Sequence, residues 1–327
     1  MPGTWWAAID LCRLPSRGVR SRIIVLQQSL EQYGQVEYNP VKGVIAMKHD
    51  QGIHPPKGAI TIVNMGEHEW TFEYPRLSWD VMEAFHEALE HWRVGDLTTA
   101  EAMYRALVDE YPEFIDVHHH LALVLDVTGR GEQAFPLWQA VVDLGLSCLP
   151  QEFEMGRDLL PWLILENRPF LRAYHGLGLE YLERGETEKA LGIFENILAL
   201  NPGDNQGVRA LVVDCSFQLN RPQDVLAVCA RYPDDGMEQL MYGRALALYQ
   251  LGWTDEAAEA LDDAIEFLPL VAKELVKKRH RRPKELRWDS ITYGGADQAY
   301  IYWVDQGQHW KSTPGAIDFV MERLEVP

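Results

Sequence analysis

The sequence lacks the features that define several common functional classes. It has no uninterrupted apolar run of the ~18 residues that span a bilayer. It contains neither a GxSxG motif nor a glycine-rich phosphate loop. No CxxC spacing occurs, which argues against zinc ribbons and thioredoxin-like redox chemistry; the four cysteines are Cys12, Cys148, Cys215 and Cys229. We therefore expect no membrane role, no cofactor and no enzyme activity.

Positive charge is also scarce. The formal net charge is −19, from 49 acidic and 30 basic residues. This excess repels nucleic acid and anionic membranes at long range. The cysteines are interpreted as buried thiols in a reducing compartment, and the start, MPGTWW, is unlike a secretory signal. We expect a cytoplasmic protein that binds a protein or peptide rather than nucleic acid or a membrane.

What the sequence does contain is a repeated pattern of small and large residues. In the clearest copy, residues 174–202, Gly185 separates two helical patterns and Asn201-Pro202 ends the second. The inner-face residues are Tyr174, Leu177, Gly178 and Tyr181, then Ala190, Phe194 and Ile197. Two helices pack closely only if Gly178 meets a small partner such as Ala190, so both are predicted to be buried.

The glycine at the turn recurs at a regular distance. Gly95 and Gly129 are 34 residues apart, and Gly185 and Gly252 are 67 apart, nearly twice that period. Between the latter two lies a degraded copy, whose second helix must be short because Pro233 arrives early. The pattern resembles the tetratricopeptide (TPR) family. The resemblance implies an all-α superhelix, a solenoid of about five helix pairs that binds proteins in its concave groove.

The repeat divides the chain into five predicted segments. These are a mixed α+β N-terminal cap (1–77), repeats 1–2 (78–148), an inserted helix (149–170), repeats 3–5 (171–270) and a basic segment with a helical tail (271–327). The cap is predicted to hold a helix over residues 16–33 and short strands in "VEYNPVKGVIAMK" and "GAITIVNMGEHEWTFEYP". The tail is predicted to form helices at Asp297–Asp305 and Pro314–Leu324.

The tail carries a second resemblance. The stretches "TYGGADQAYIYW" and "HWKSTPGAIDFV" resemble an uncharacterised group of bacterial TPR proteins. They are more distantly similar to the C-terminal end of the suppressor-of-tumorigenicity-7 family. The stretch "ENRPFLRAYHGLGLEYLE" is similar to the same bacterial group. The resemblance implies a helical repeat fold and brings no catalytic residue with it.

The concave groove is the predicted binding surface, because repeat proteins bind their partners there. Its inner-face positions are apolar and aromatic, which suits an amphipathic helix or an extended segment. The predicted groove residues are Phe85, His119, Leu123, Arg172, His175, Leu179, Arg209 and Tyr242. In the alternative, residues 149–170 of the same chain fill the groove.

Three consecutive histidines, His118, His119 and His120, raise the question of a metal site. Consecutive residues of a helix point in different directions, so the three cannot converge on one ion. We expect no metal, with His118 at a packing surface and His119 facing the groove.

Residues 273–287, "KELVKKRHRRPKELR", carry a local charge of about +6. The basic residues singled out are Lys277, Lys278, Arg279, Arg281 and Arg282. One explanation is a solvated helix end. A second is an internal clamp, in which the three arginines meet carboxylates of the last repeat or the tail, for example Asp262, Asp263 and Glu266. A third is a site for an acidic peptide or nucleic acid.

The sequence thus predicts a non-catalytic scaffold or adaptor. The first alternative is a structural subunit that self-associates into a homo-oligomer and fills its own groove. The second is an enzyme within residues 1–77, where five candidate side chains lack any recognised spacing; these are His49, Asp50, His54, His68 and Glu69.

Overall fold

A computed structural model describes residues 60–284, 286 and 291–325. Over these residues the fold is all-α with one small sheet, as predicted. The predicted helix over 16–33 and the first predicted strand run lie outside the described residues. The elements are β1 (Thr61–Gly66), β2 (Glu69–Glu73), α1 (Trp79–Arg93), α2 (Leu97–Glu110), α3 (Ile115–Val127), α4 (Gly131–Ser147), α5 (Arg168–Glu183), α6 (Thr187–Leu200), α7 (Arg209–Gln218), α8 (Pro222–Arg231), α9 (Glu238–Gln250), α10 (Thr254–Phe267), α11 (Pro269–Leu275), α12 (Ala296–Ser312) and α13 (Ala316–Glu325). No helix among the described residues is long and apolar enough to cross a bilayer.

The chain divides into two compact units. Unit 1 holds the described residues up to 176 together with 199–203, and unit 2 holds residues 177–198 and the described residues from 204 onward. In unit 1, β1 and β2 pair antiparallel, and α1 to α4 pack in sequence order. In unit 2, α7 to α10 pack in the same way, and α11, α12 and α13 follow them.

All five helix pairs, from α1–α2 to α9–α10, share one kind of turn. The backbone φ is +78° at Gly95 and Gly129, +73° at Gly185 and +79° at Gly252. Asn220 takes this place in the degraded copy with a φ of +56°, because asparagine tolerates the left-handed region better than most residues. One residue further on, the backbone N–H donates to the carbonyl five positions back over 2.8–3.0 Å. This Schellman geometry confirms the predicted turns.

Prolines end several of the second helices. Tyr111, Tyr232 and Leu268 each precede a proline and leave the helix with φ between −125° and −130° and ψ between 63° and 69°. The proline ring clashes with a helical residue before it, which explains this shared conformation. Pro233 limits α8 to 10 residues and confirms the short second helix of the degraded copy.

The inserted helix predicted for residues 149–170 is absent. Residues 148–164 form turns and bends, and a 3₁₀ turn at Leu165–Asn167 leads into α5 at Arg168. The prediction was wrong because it weighted the apolar residues above the prolines. Pro150 and Pro161 lack the N–H that a helix interior requires.

The same segment fastens the hairpin β1–β2 in unit 1. The Leu159 N–H donates to the carbonyl of His68 over 2.8 Å, and its own carbonyl accepts from the Trp70 N–H over 2.9 Å. The buried Asn167 side chain donates to the Trp70 carbonyl (2.9 Å) and accepts from the Phe72 N–H (3.2 Å). These bonds satisfy backbone groups that the two-stranded sheet leaves open.

The tail holds the two predicted helices. The first, α12, extends beyond the predicted Asp305 to Ser312, so it is almost twice the predicted length. The second, α13, ends one residue after the predicted Leu324. The early end predicted for the first helix ignored a continuing apolar face that reaches the fully buried Trp310.

A close contact between helices of unit 2 involves Gly178 of α5. A Cβ placed there would lie 2.5 Å from the Phe194 ring and 3.0 Å from Ile193 of α6. Gly178 and Ala190 are both buried, as predicted, but the nearest atoms belong to Phe194 and Ile193 rather than Ala190.

We expect Gly178→Ala to lower the free energy of unfolding by ~1–3 kcal/mol, because the added methyl group overlaps the Phe194 ring. Gly192→Ala on the neighbouring helix is the matched control, since nothing lies within 4 Å of a Cβ there. That change should raise stability by about 0.5–1 kcal/mol. Urea unfolding measures both, and shifts of the same sign and size would show that the helix register is wrong.

Candidate interaction surfaces

The structure buries seven of the eight predicted groove residues. Each of the seven has an exposed fraction of 6% or less. In unit 1 these are Phe85, His119, Leu123, Arg172 and His175, and in unit 2 they are Leu179 and Tyr242. These positions belong to the core, so they do not line an open groove.

An ion pair lies in the core of unit 1. The Arg172 guanidinium donates to the Asp116 carboxylate over 2.6 Å, and both side chains are almost fully buried. Two charges removed from water are tolerated only when they are paired in this way. Arg172 is therefore committed to joining α3 to α5 and is not available to a partner.

The three consecutive histidines are buried as well. His118 and His120 bond through Nδ1 to carbonyls one turn back, at 3.1 and 2.7 Å. The Trp138 indole N–H donates to Nδ1 of His119 over 3.3 Å. A Cβ on Gly176 would lie 2.8 Å from this indole, so the glycine lets Trp138 approach α5 closely. His119 thus faces the interior rather than a groove.

Burial keeps these rings neutral. It lowers the pKa of His175 to about 3. Burial, with the nearby charge of His120, lowers the pKa of His119 well below its usual value. Burial also lowers the pKa values of His118 and His120, against an opposing effect from their backbone hydrogen bonds. Neutral core histidines are therefore the chemical species present near pH 7.

These pKa shifts predict a loss of stability in acid. In the unfolded chain His175 has a pKa of ~6.5, above the folded value of about 3. Between these values the unfolded state binds one more proton, so stability falls as the pH drops from ~6.5 towards 3. In His175→Gln, the slope of the unfolding free energy against pH should decrease by up to ~1.4 kcal/mol per unit. Urea unfolding at several pH values measures it, and an unchanged slope would contradict the assignment.

In unit 2, Tyr242 is covered by α12. Its ring lies 5.6 Å from the Tyr302 ring and 6.4 Å from the Trp310 ring. Its hydroxyl donates to the carbonyl of Leu268 (2.8 Å) and accepts from the N–H of Ala272 (3.2 Å). The first helix of the last pair is thus packed against the chain's own C-terminal helix.

The same helix reaches the preceding pair. His309 of α12 bonds through Nε2 to Asp214 of α7 over 2.8 Å, and its ring lies 5.2 Å from Phe217. The sequence prediction missed this role of α12. A signal was present, since four of the buried residues follow helical steps of three, four and four; they are Ala299, Tyr302, Gln306 and Trp310.

We expect Tyr242→Phe to lower the free energy of unfolding by ~1–3 kcal/mol, because it leaves the Ala272 N–H without its acceptor and removes one of the two hydrogen bonds to the Leu268 carbonyl. Tyr293→Phe is the control. Its hydroxyl also bonds to a carbonyl, that of Gly236, but the residue is 63% exposed and water replaces the bond. This change should stay within about 0.5 kcal/mol. Equal effects in thermal unfolding would contradict the burial of the Tyr242 hydroxyl and its two hydrogen bonds.

Arg209 is the eighth predicted groove residue and it is partly exposed. It donates to Asp204 over 2.7 Å and also pairs with Asp235. Its guanidinium lies 5.4 Å from the Tyr232 ring centroid. Arg209 therefore joins the loop before α7 to the loop before α9 and acts within the fold.

The basic segment differs from these positions because its cations are exposed. Lys277, Lys278, Arg279, Arg281 and Arg282 all lie at the surface. Lys277 pairs with Glu274. Within the described part of the chain, Arg279 and Arg281 form no ion pair.

The predicted clamp onto the last repeat is wrong for those two arginines. Asp262 is instead bound by Arg323 of α13, whose Nε lies 2.8 Å from its carboxylate. The tail helix thus supplies the counter-charge that the prediction assigned to the basic segment.

A family model matches the chain, and several solved structures are similar to it. The family model, described as transcriptional repressor TCF25 (Tcf25), matches residues 70–300. One similar structure is YrrB, a TPR protein with an unusual peptide-binding site (18% identity, TM-score 0.42, 58% of this chain and 87% of that chain). Another is a Podosopora anserina putative kinesin light chain with nearly identical TPR-like repeats (15%, 0.42, 57% and 94%). The comparison with curated proteins gave no match.

The paired helices with their left-handed turns define a helical repeat protein of the TPR type. Because the family model covers more than half of its residues, the chain belongs to the Tcf25 family. The match begins in β2 and ends within α12. The resemblances to the bacterial group and to the suppressor-of-tumorigenicity-7 family stay predictions.

Proposed function

We propose that this chain is a non-catalytic scaffold that holds other proteins. The observation that carries the proposal is the set of five helix pairs, each of which presents helical surface to its surroundings. Repeats of this kind are used as binding surfaces because each pair adds area without adding a new core. The interiors of the pairs are occupied by structural contacts such as Arg172–Asp116.

The partner binds on the outer surface in this proposal, not at the predicted groove residues. In unit 2 the face of α7 and α9 that carries Phe217 and Tyr242 is already occupied by α12. A face that is covered by the chain's own helix is also what the alternative function, a self-associating structural subunit, requires. The scaffold and the structural subunit differ in whether the chain associates with other proteins or with itself.

The family description supports a role in transcriptional repression. A scaffold in that process acts by bringing proteins together, which fits the helix pairs. It also favours the nucleus as a place of action, in addition to the cytoplasm expected from the cysteines. The partners then include proteins of the transcription machinery.

Purification of the tagged full chain from its source cell tests the proposal. We expect it to co-purify with at least one other protein at a fixed ratio, and we expect the purified chain alone to be a monomer by light scattering. A stable assembly of this chain alone would favour the structural subunit. A chain that elutes alone as a monomer from the cell would contradict the scaffold function, and partners unrelated to transcription would contradict the repression role.

A further inference from the structure

An exposed basic strip in unit 2 begins within α11 and continues beyond its end. We define it as Lys273, Lys277, Lys278, Arg279, Arg281, Arg282 and Lys284, with Lys311 of α12. All eight side chains are exposed. The strip is positively charged, whereas the chain as a whole has a net charge of −19.

The backbone of the strip is fixed to the fold. Glu274 is buried, pairs with Lys277 and accepts from Nδ1 of His280 over 3.0 Å. The His280 ring stacks on Trp303 of α12, with centroids 3.5 Å apart and planes within 16°. Lys311 Nζ lies 4.1 Å from the same Trp303 ring. The exposed cations are therefore held together on a defined surface.

The exposed cations at the centre of the strip lack the neighbours that other surface cations have. Lys278, Arg279 and Arg281 form no ion pair with a carboxylate of the described residues. Elsewhere, exposed cations do pair, as Lys189 does with Glu186 and Arg221 does with Glu188. Like charges so close together repel one another, and an anion bound between them removes that repulsion.

We propose that the basic strip binds an acidic segment, rich in aspartate and glutamate, of a partner protein. The proposal rests on the scaffold function and names the chemistry of one partner. A short acidic peptide reaches several cations at once and gains a set of charge-assisted hydrogen bonds.

Nucleic acid fits the strip less well. Non-specific binding of single strands uses free aromatic rings on which bases stack. Trp303, the ring that the strip contacts, is already occupied by His280 and Lys311. A long polyanion also extends beyond the strip and meets the acidic remainder of the surface, which repels it.

Fluorescence anisotropy with the purified full chain tests the proposal. The probe is a short labelled Gly–Glu repeat peptide, and a Gly–Gln repeat peptide is the uncharged control. We expect the acidic peptide to bind at low salt and to bind more weakly as salt is raised. The combined variant Lys278→Gln, Arg279→Gln, Arg281→Gln should lose about tenfold or more in affinity, which corresponds to ~1.4 kcal/mol.

A matched variant removes the same charge elsewhere. Arg105→Gln, Lys189→Gln, Arg221→Gln changes three exposed, ion-paired cations and should leave the affinity unchanged. Both variants should melt like the parent because all six side chains are exposed. Equal losses in the two variants, or no peptide binding at low salt, would overturn the proposal.

Tighter binding of single-stranded oligouridylate than of the peptide would also overturn it, in favour of nucleic acid. If the chain co-purifies with partners from the cell but does not bind the acidic peptide, the scaffold function stands and only the proposed role of the basic strip is rejected. If the chain purifies without any partner, the proposed scaffold function itself is rejected.

Discussion

The left-handed residue between paired helices is the constraint on which the other contacts depend. With φ near +75°, it reverses the chain within a few residues and satisfies the last carbonyls of the first helix. The second helix must then return alongside the first at short distance. A missing side chain at Gly178 leaves room for the Phe194 ring of the returning helix, and buried alanines recur in the other pairs for a similar reason.

Packing between helix pairs removes α3 almost completely from water. In α3, residues from Ile115 to Leu125 are all buried, including three histidines and Asp116. Polar groups in such a place need partners, and Arg172 supplies the charge that Asp116 requires. The histidines adapt in another way, because burial favours their uncharged form. The unusual composition of this core follows from packing and needs no ligand.

Local signals made much of this fold predictable. Gly95 and Pro233 act within one turn of the chain, so their effects on helix ends do not depend on distant residues. The prediction of an inserted helix was wrong for a reason that is also local, because Pro150 and Pro161 prevent a helix that the apolar composition favours. The burial of side chains was less predictable than the helix ends. Tyr242, for example, is buried by α12, a helix that begins more than fifty residues later. The counter-charge of Asp262 likewise comes from Arg323, whose approach no local pattern indicates.

The position of α12 after the last helix pair determines when during synthesis the faces of α7 and α9 become covered. A ribosome releases α7 and α9 well before residues 296–312 exist. During that interval the faces of Phe217 and Tyr242 that α12 will cover remain in contact with water. Nascent chains with uncovered apolar surface are the species that chaperones retain and that aggregate when they accumulate. A messenger truncated between the last repeat and α12 would therefore yield a chain with every repeat present and one helix face permanently open, which the cell's quality control would recognise as unfinished.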